Sequence, residues 1–213
     1  MGHSMHSVRL AGSTIDRSCH ACAFFHSRAE EEQVMLPFVK EGFERGEKSF
    51  HVVDASHRPE RISKLQNAGI DVTRAQATGQ VEVRGWEQAY LRGGCFDQNK
   101  MLALIEEALQ SGRKGGFGMT RLWANMEWAL EDCPGVEDLV EYETRLNHIL
   151  PKYDDVVVCT YDLNKFSAGV VMDIMRTHPF VIIGGILQEN PFFVPPDEFL
   201  RELHGRTRAA DQA

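Results

Sequence analysis

His20 and Cys22, Glu143 and Asn147, Cys159 with Tyr161 and Asp162, and His178 before Pro179 are side chains able to ligate, donate or move protons. A thiol beside an imidazole can act as nucleophile and base, so Cys22 or Cys159 with His20 or His178 would serve an enzyme. That chemistry needs contact geometry, and no nucleophile motif accompanies these residues. Cys19-His20-Ala21-Cys22 also holds one Cys-x-x-Cys pair. A structural zinc site takes four ligands, there is no His-x-x-x-His pair, and only the distant Cys95, Cys133, Cys159 and His178 could complete a set. No metal or other cofactor is therefore assigned; were a metal present, His20 and Cys22 would be its first ligands.

The elements that must position these groups follow from periodicity. A strand through Cys19 to Cys22 puts His20 and Cys22 on one face and Cys19 on the other. Val156 to Tyr161 reads as a buried strand ending with Cys159 and Tyr161 on one face and Asp162 at its mouth, although capping the next turn is the more frequent job of such an Asp. Leu139, Glu143, Leu146, Asn147 and Leu150 form one stripe of a helix over 136–150. A carboxylate amid leucines sits at the stripe's edge or meets a buried partner, and we read Glu143 and Asn147 as a polar network. His178 is pushed into extended backbone by Pro179. Taken alone, Cys22 and Cys159 read as small buried apolar residues, and His178 as a hydrogen-bonded structural one.

Further strands are expected at Phe50–Val53, Val81–Arg84, Met119–Trp123 and Phe180–Ile183, and a helix at Pro59–Asn67. Another helix is opened by Asp97 and carries Met101, Leu102, Leu104, Ile105, Ala108 and Leu109. A helix over Phe166–Arg176 follows the strand at 156–161. Before Gly46, Val34, Met35, Phe38, Val39 and Phe43 mark a helix with an acidic first turn at Glu30–Glu32; Pro37 inside it implies a kink or a later start. Continuous apolar strands alternating with helices give an α/β class: a mostly parallel sheet with helices on both faces.

The loop after the first strand, His26-Ser27-Arg28-Ala29, has neither the glycines nor the lysine of a phosphate cradle. The Gly-rich stretch Gly112 to Gly118 precedes a strand and reads as a flexible turn. ATP hydrolysis is not expected.

The formal net charge is -8, with no cluster of Lys and Arg, which argues against direct nucleic-acid binding. No apolar run is long enough to span a membrane. Five cysteines without framework spacing point to reduced thiols and a cytoplasmic setting. Residues 1–17 are expected to be flexible, with Met1-Gly2-His3-Ser4-Met5 reading as a tag remnant. Residues 18–204 form one domain, Asn190–Pro196 an extended strap over the sheet edge, and residues 205–213 a disordered tail.

Taken in order, Cys19-His20-Ala21-Cys22-Ala23-Phe24-Phe25, Arg121 to Ala129, Tyr142-Glu143 with Leu146-Asn147, Cys159 to Asp162 and Thr177-His178-Pro179 resemble the MEDS family of DcmR-type sensory domains. The resemblance runs from about Ser18 to Pro196. It implies a RecA/KaiC-like fold without its phosphate-binding loop, and sensing of simple hydrocarbon derivatives in prokaryotic signal transduction. His20 and Cys22 match the family's His-x-Cys pair, followed by Phe24-Phe25. Met126 and Trp128 match its Gly-Glu-Met-x-Trp segment, in which Asn125 replaces the acid, although both read equally as core packing.

The expected ligand-binding residues are thus His20, Cys22, Phe25, Met126, Trp128, Glu143, Asn147, Cys159, Tyr161, Asp162 and His178. The expected function is a sensory domain that binds a small molecule and regulates a signalling partner protein, through another polypeptide or contacts in a homo-oligomer. The alternatives are a Cys/His enzyme and an interaction module derived from an ATPase fold.

Overall fold

The structure, a computed structural model, describes residues 7–16 and 18–210. Its strands are β1 (Val8–Leu10), β2 (Ser13–Ile15), β3 (Cys19–Phe25), β4 (Lys48–Val53), β5 (Val81–Gly85), β6 (Thr120–Asn125), β7 (Val156–Asp162), β8 (Phe180–Ile183) and β9 (Ile186–Glu189). Its α-helices are α1 (Arg28–Glu44), α2 (Arg58–Asn67), α3 (Val72–Ala77), α4 (Gln98–Lys114), α5 (Leu139–Leu146), α6 (Ala168–Thr177) and α7 (Pro196–Ala210). Seven strands form one sheet in the order β5-β4-β6-β7-β3-β8-β9, parallel except for the antiparallel β8–β9 pair.

β3 is central, paired with β7 and β8, and all seven of its residues are buried. Its alternation divides the core as the pleat requires. Ala21, Ala23 and Phe25 join the core under α1, α2 and α3, whereas Cys22 and Phe24 join the core under α4, α5 and α6. Helices therefore cover both faces, and the register sets Cys22 opposite Cys159.

Helix starts follow local chemistry. The Ser27 side chain accepts from Glu30 N and opens α1, Asp97 accepts from Asn99 N and Lys100 N before α4, and Ser167 accepts from Val170 N before α6. Helix α1 begins at Arg28 and runs through Pro37, so the later start is excluded. The helix expected over 136–150 is α-helical only at Leu139–Leu146, with single 3-10 turns at Val136–Asp138 and Leu150–Lys152. Residues 112–114 of the Gly-rich stretch complete the last turn of α4.

Three expectations at the edges are corrected. The N-terminal segment, read as flexible, holds the hairpin β1–β2 at 8–15, with Val8, Leu10 and Ile15 buried. It is pinned by Arg9 N donating to Glu41 Oε2 at 3.1 Å and by Ser13 Oγ donating to Leu187 O at 3.0 Å. The tail, read as disordered from 205, is helical to Ala210. Asn190–Pro196 is a turn leading into α7, and the sheet edge there is β9 rather than a strap. The tag-remnant reading at Met1–Met5, and the tail beyond 210, lie outside the described residues.

The turn before α5 supports the wall of the site. Phe96 N donates to Pro134 O at 2.9 Å, and the Phe96 ring lies 4.3 Å from Trp128 and 5.4 Å from Tyr142. Gly135 has φ +89°, and a Cβ there would fall 2.2 Å from Phe96 O. Gly135→Ala is expected to cost at least about 2 kcal/mol, because strain and clash act together. Urea unfolding checks this; a loss below about 0.5 kcal/mol would refute it.

Candidate functional site

Four elements bring His20 (β3), Glu143 (α5), Cys159 (β7) and His178 (between α6 and β8) into one buried cluster between the sheet and α5–α6. Glu143 Oε2 lies 3.3 Å from His20 Nε2, 3.3 Å from His178 Nε2 and 3.6 Å from Cys159 Sγ. Cys159 Sγ is 3.8 Å from His20 Nε2. The Tyr161 hydroxyl donates to the other carboxylate oxygen, Glu143 Oε1, at 3.0 Å.

Backbone and amide groups set the rings. Asn147 Nδ2 donates to the carbonyls of Glu143, Thr144 and Thr177, so its Oδ1 faces His20 Nδ1 at 3.0 Å as acceptor. His178 Nδ1 lies 3.0 Å from Ile174 O, which can only accept. Both rings therefore turn Nε2 toward Glu143, and their centroids are 4.1 Å apart.

Burial pushes the Glu143 carboxyl up, but the adjacent His178 and His20 outweigh it and hold the carboxyl at about 2, so Glu143 is ionised. Burial and the neighbouring His20 push His178 below the usual imidazole value. Burial, then the Glu143 charge, raises the Cys159 thiol well above its ordinary value; Cys22 is raised for the same two reasons. The expected Cys–His contact exists between Cys159 and His20. A thiol held protonated is nevertheless a poor nucleophile, because the thiolate is the reactive species.

Of the expected residues, His20, Glu143, Asn147, Cys159, Tyr161 and His178 make these contacts. Cys22 shares their face, but its thiol donates to Phe180 O at 3.7 Å. The four donors that converge are those of His20, Glu143, Cys159 and His178, whereas Cys22, named with His20 only for the case that a metal is bound, lies outside the set.

Met126 and Trp128 belong to an adjoining aromatic group: Tyr90 stacks on Trp128 at 4.6 Å and its hydroxyl reaches Met126 Sδ at 3.5 Å. Trp128 Nε1 is buried without a hydrogen-bond partner. Neither Tyr90 nor Thr177, whose hydroxyl donates to Ile174 O, is among the site residues expected from the sequence. Thr177 had a signal, since it precedes His178 in Thr177-His178-Pro179; Tyr90 had none.

Phe25 and Asp162 stand apart from the cluster. Phe25 points to the opposite face, and Asp162 Oδ1 accepts from Asn164 N at 2.9 Å, the turn-capping job. With Ser27, Arg28, Glu31, Asn125, Glu127, Thr160 and Tyr161, both line a narrow groove of about 10 Å³ at the C-terminal ends of the strands. Parallel sheets hold ligands at that edge. Tyr161 thus borders the groove and touches the cluster. A neighbouring groove of about 30 Å³ is lined by Arg28, His57 and Arg61 together with Glu31, Glu32, Asp54 and Glu60.

At the place of a phosphate loop, the two-residue turn His26–Ser27 is closed from within. His26 N donates to Glu30 Oε2 at 2.8 Å, and Asn164 Nδ2 donates to His26 O at 2.7 Å. A carboxylate of the chain itself takes the backbone donor that a phosphate would need, and Glu30 and Glu31 repel a second anion.

Residues 19–179 match the MEDS family, described as MEthanogen/methylotroph, DcmR Sensory domain. The transcriptional repressor DcmR of Methylorubrum extorquens is 25% identical over 172 residues. That alignment spans 80% of this chain and 62% of the repressor, so less than two thirds of the relative's length is represented. In fold the chain is similar to a KaiC-like protein from Pyrococcus horikoshii OT3, with TM-score 0.54 and 13% identity over 82% of this chain and 71% of that one. It is also similar to an uncharacterized Pyrococcus horikoshii protein crystallised with an unknown peptide, with TM-score 0.61 and 14% identity over 80% of this chain and 78% of that one. Identities this low carry the fold alone, and the fold is the RecA-type one expected.

Proposed function

Because the chain belongs to the MEDS family of sensory domains, we propose that it takes up a small molecule and reports occupancy to a partner protein that regulates transcription. The ligand class that goes with this reading is a simple hydrocarbon derivative, a one-carbon or halogenated compound. The similarity to a transcriptional repressor supports a regulatory output. With a formal net charge of -8, DNA contact falls to the partner or to another part of a homo-oligomer. A cytoplasmic setting goes with that role; no helix among the described residues is long and apolar enough to cross a membrane.

The observation that carries this reading is a buried polar cluster at the seam where α5 and α6 meet the sheet, with Trp128 Nε1 buried and unpaired in the core on the same side of the sheet. Unpaired buried polar atoms cost free energy until something meets them. α7 braces the same helices, through His148 to Asp197 at 3.0 Å and Arg176 to Glu202 at 2.6 Å. An occupant would therefore bias the α5–α6–α7 layer, which gives a physical route to a partner. Burial and the Glu143 charge raise the Cys159 thiol, which disfavours the thiolate that a Cys–His enzyme would use.

Methanol and dichloromethane serve as probes of the two ligand classes. Titrated into isotopically labelled protein, one of them is expected to give saturable shifts of the Trp128 indole and of the α5 and α6 amides, and His20→Ala is expected to abolish them. No saturation with either probe, or saturation unchanged in His20→Ala, would refute the reading.

A further inference from the structure

We propose that His20, Glu143, Cys159 and His178 bind one divalent transition-metal ion of the zinc class, in a four-coordinate site beneath α5 and α6. Zinc bonds of about 2.0–2.1 Å to oxygen and nitrogen and about 2.3 Å to sulfur imply tetrahedron edges of roughly 3.3–3.4 Å among the oxygen and nitrogen donors and about 3.6 Å to the sulfur. The four measured edges are 3.3, 3.3, 3.6 and 3.8 Å. All four donor atoms lie within 4.8 Å of one another, so small side-chain rotations close the remaining edges.

The proton positions argue the same way. His20 Nδ1 donates to Asn147 Oδ1, and His178 Nδ1 donates to Ile174 O. With one proton each, both rings would aim a bare Nε2 lone pair at the Glu143 carboxylate, so a cation is called for at that point, either a proton on one ring or a metal ion. Protonating both rings instead would put two imidazolium ions 4.1 Å apart, in a buried site beside one carboxylate. His178 Nε2 is fully buried, and the polar group it faces is Glu143 Oε2 at 3.3 Å. Tyr161 holds Glu143 Oε1 and leaves Oε2 for the ion. Outer contacts of this kind, from a carbonyl, an amide and a hydroxyl, are what orient metal ligands.

On binding, the Cys159 S–H bond breaks, a sulfur–metal bond forms, and one proton passes to solvent per ion. The ion would tie α5 and the α6–β8 junction to β3 and β7. Its role as the group that meets the small molecule rests on the sensory reading; its binding does not.

The test is a cobalt titration of chelator-treated protein, with metal analysis of the untreated sample. One equivalent is expected to bind, with the visible bands of tetrahedral cobalt and a thiolate-to-cobalt charge-transfer band that Cys159→Ser removes. Tyr161→Phe, which keeps the ring, is expected to weaken affinity about 10-fold or more. It keeps the test decisive should Cys159→Ser fail to fold by circular dichroism. A protein without stoichiometric metal and without the cobalt spectrum overturns the proposal, as does loss of the band in Cys22→Ser rather than Cys159→Ser. Metal binding without any response to methanol or dichloromethane keeps this site and refutes the sensory reading; a probe response in a protein that takes no metal does the reverse.

Discussion

Arg121→Met is expected to lower the unfolding free energy by about 3–5 kcal/mol, the range for removing one partner of a buried ion pair. Arg121 is fully buried on β6. Its Nε donates to Glu47 Oε2 at 2.6 Å, and Nη1 donates to Phe38 O at 2.6 Å and Glu41 Oε2 at 3.0 Å. The guanidinium also lies 4.8 Å from the Phe38 ring, and Gly42 leaves it room, since a Cβ there would be 2.5 Å from Nε. Methionine fills most of the volume but leaves Glu47 buried without its cation. Glu41 keeps Arg9 and Arg45, so most of the cost falls on Glu47. Urea midpoints with unchanged m-values measure the loss. Arg121→Met with Glu47→Gln is expected to recover part of it; a single-variant loss below about 1 kcal/mol would contradict the assignment.

The second large effect is a pH dependence at Asp155. Burial raises its carboxyl to about 6, against the Thr120 N–H it accepts at 2.6 Å and the charge of Arg113, with Asp154 adding to the rise. The unfolded value is about 3.9, so the native state holds its proton more tightly than the unfolded chain does. This group therefore favours the fold below about pH 4 and loses that contribution as pH rises through about 6, some 3 kcal/mol in all. Asp155→Asn keeps an acceptor for Thr120 N and removes the charge. It is expected to be more stable than the parent by about 3 kcal/mol at pH 8, with the difference vanishing near pH 4. Urea unfolding across that range decides it; equal stabilities at pH 8 would show that the carboxylate is paired. The Asp155 carbonyl accepts from Cys19 N at 3.2 Å, so the same residue helps set β3 against β7 at the base of the cluster.

Local patterns explain which elements were legible. Val156-Val157-Val158 and Phe180–Ile183 are apolar runs short enough only for strands, and Asp97 caps α4 as its side chain requires. The strand β9 and the helix α7 were missed although signals were present: Gly184-Gly185 is a hairpin turn, and Pro196-Asp197-Glu198 is a helix start. α7 is mostly polar and is anchored by Phe199, which lies under the guanidinium groups of Arg176 and Arg206, so its stripe was faint. The β1–β2 hairpin has three-residue strands, too short for alternation to stand out.

By itself the sequence determined the alternation of buried strands and capped helices, the want of a phosphate cradle after β3, and the faces of His20, Cys22, Cys159 and Tyr161. All of these follow from spacing along a few residues, where strand and helix periods act directly. Only the tertiary structure decided that Cys159, not Cys22, stands with His20, Glu143 and His178, and that Phe25 and Asp162 belong to a different place. Cys159 and His20 are 139 residues apart, and His20 and Asn147 127. Their contact depends on sheet order and on how α5 and α6 seat over β3 and β7, and no local period encodes either.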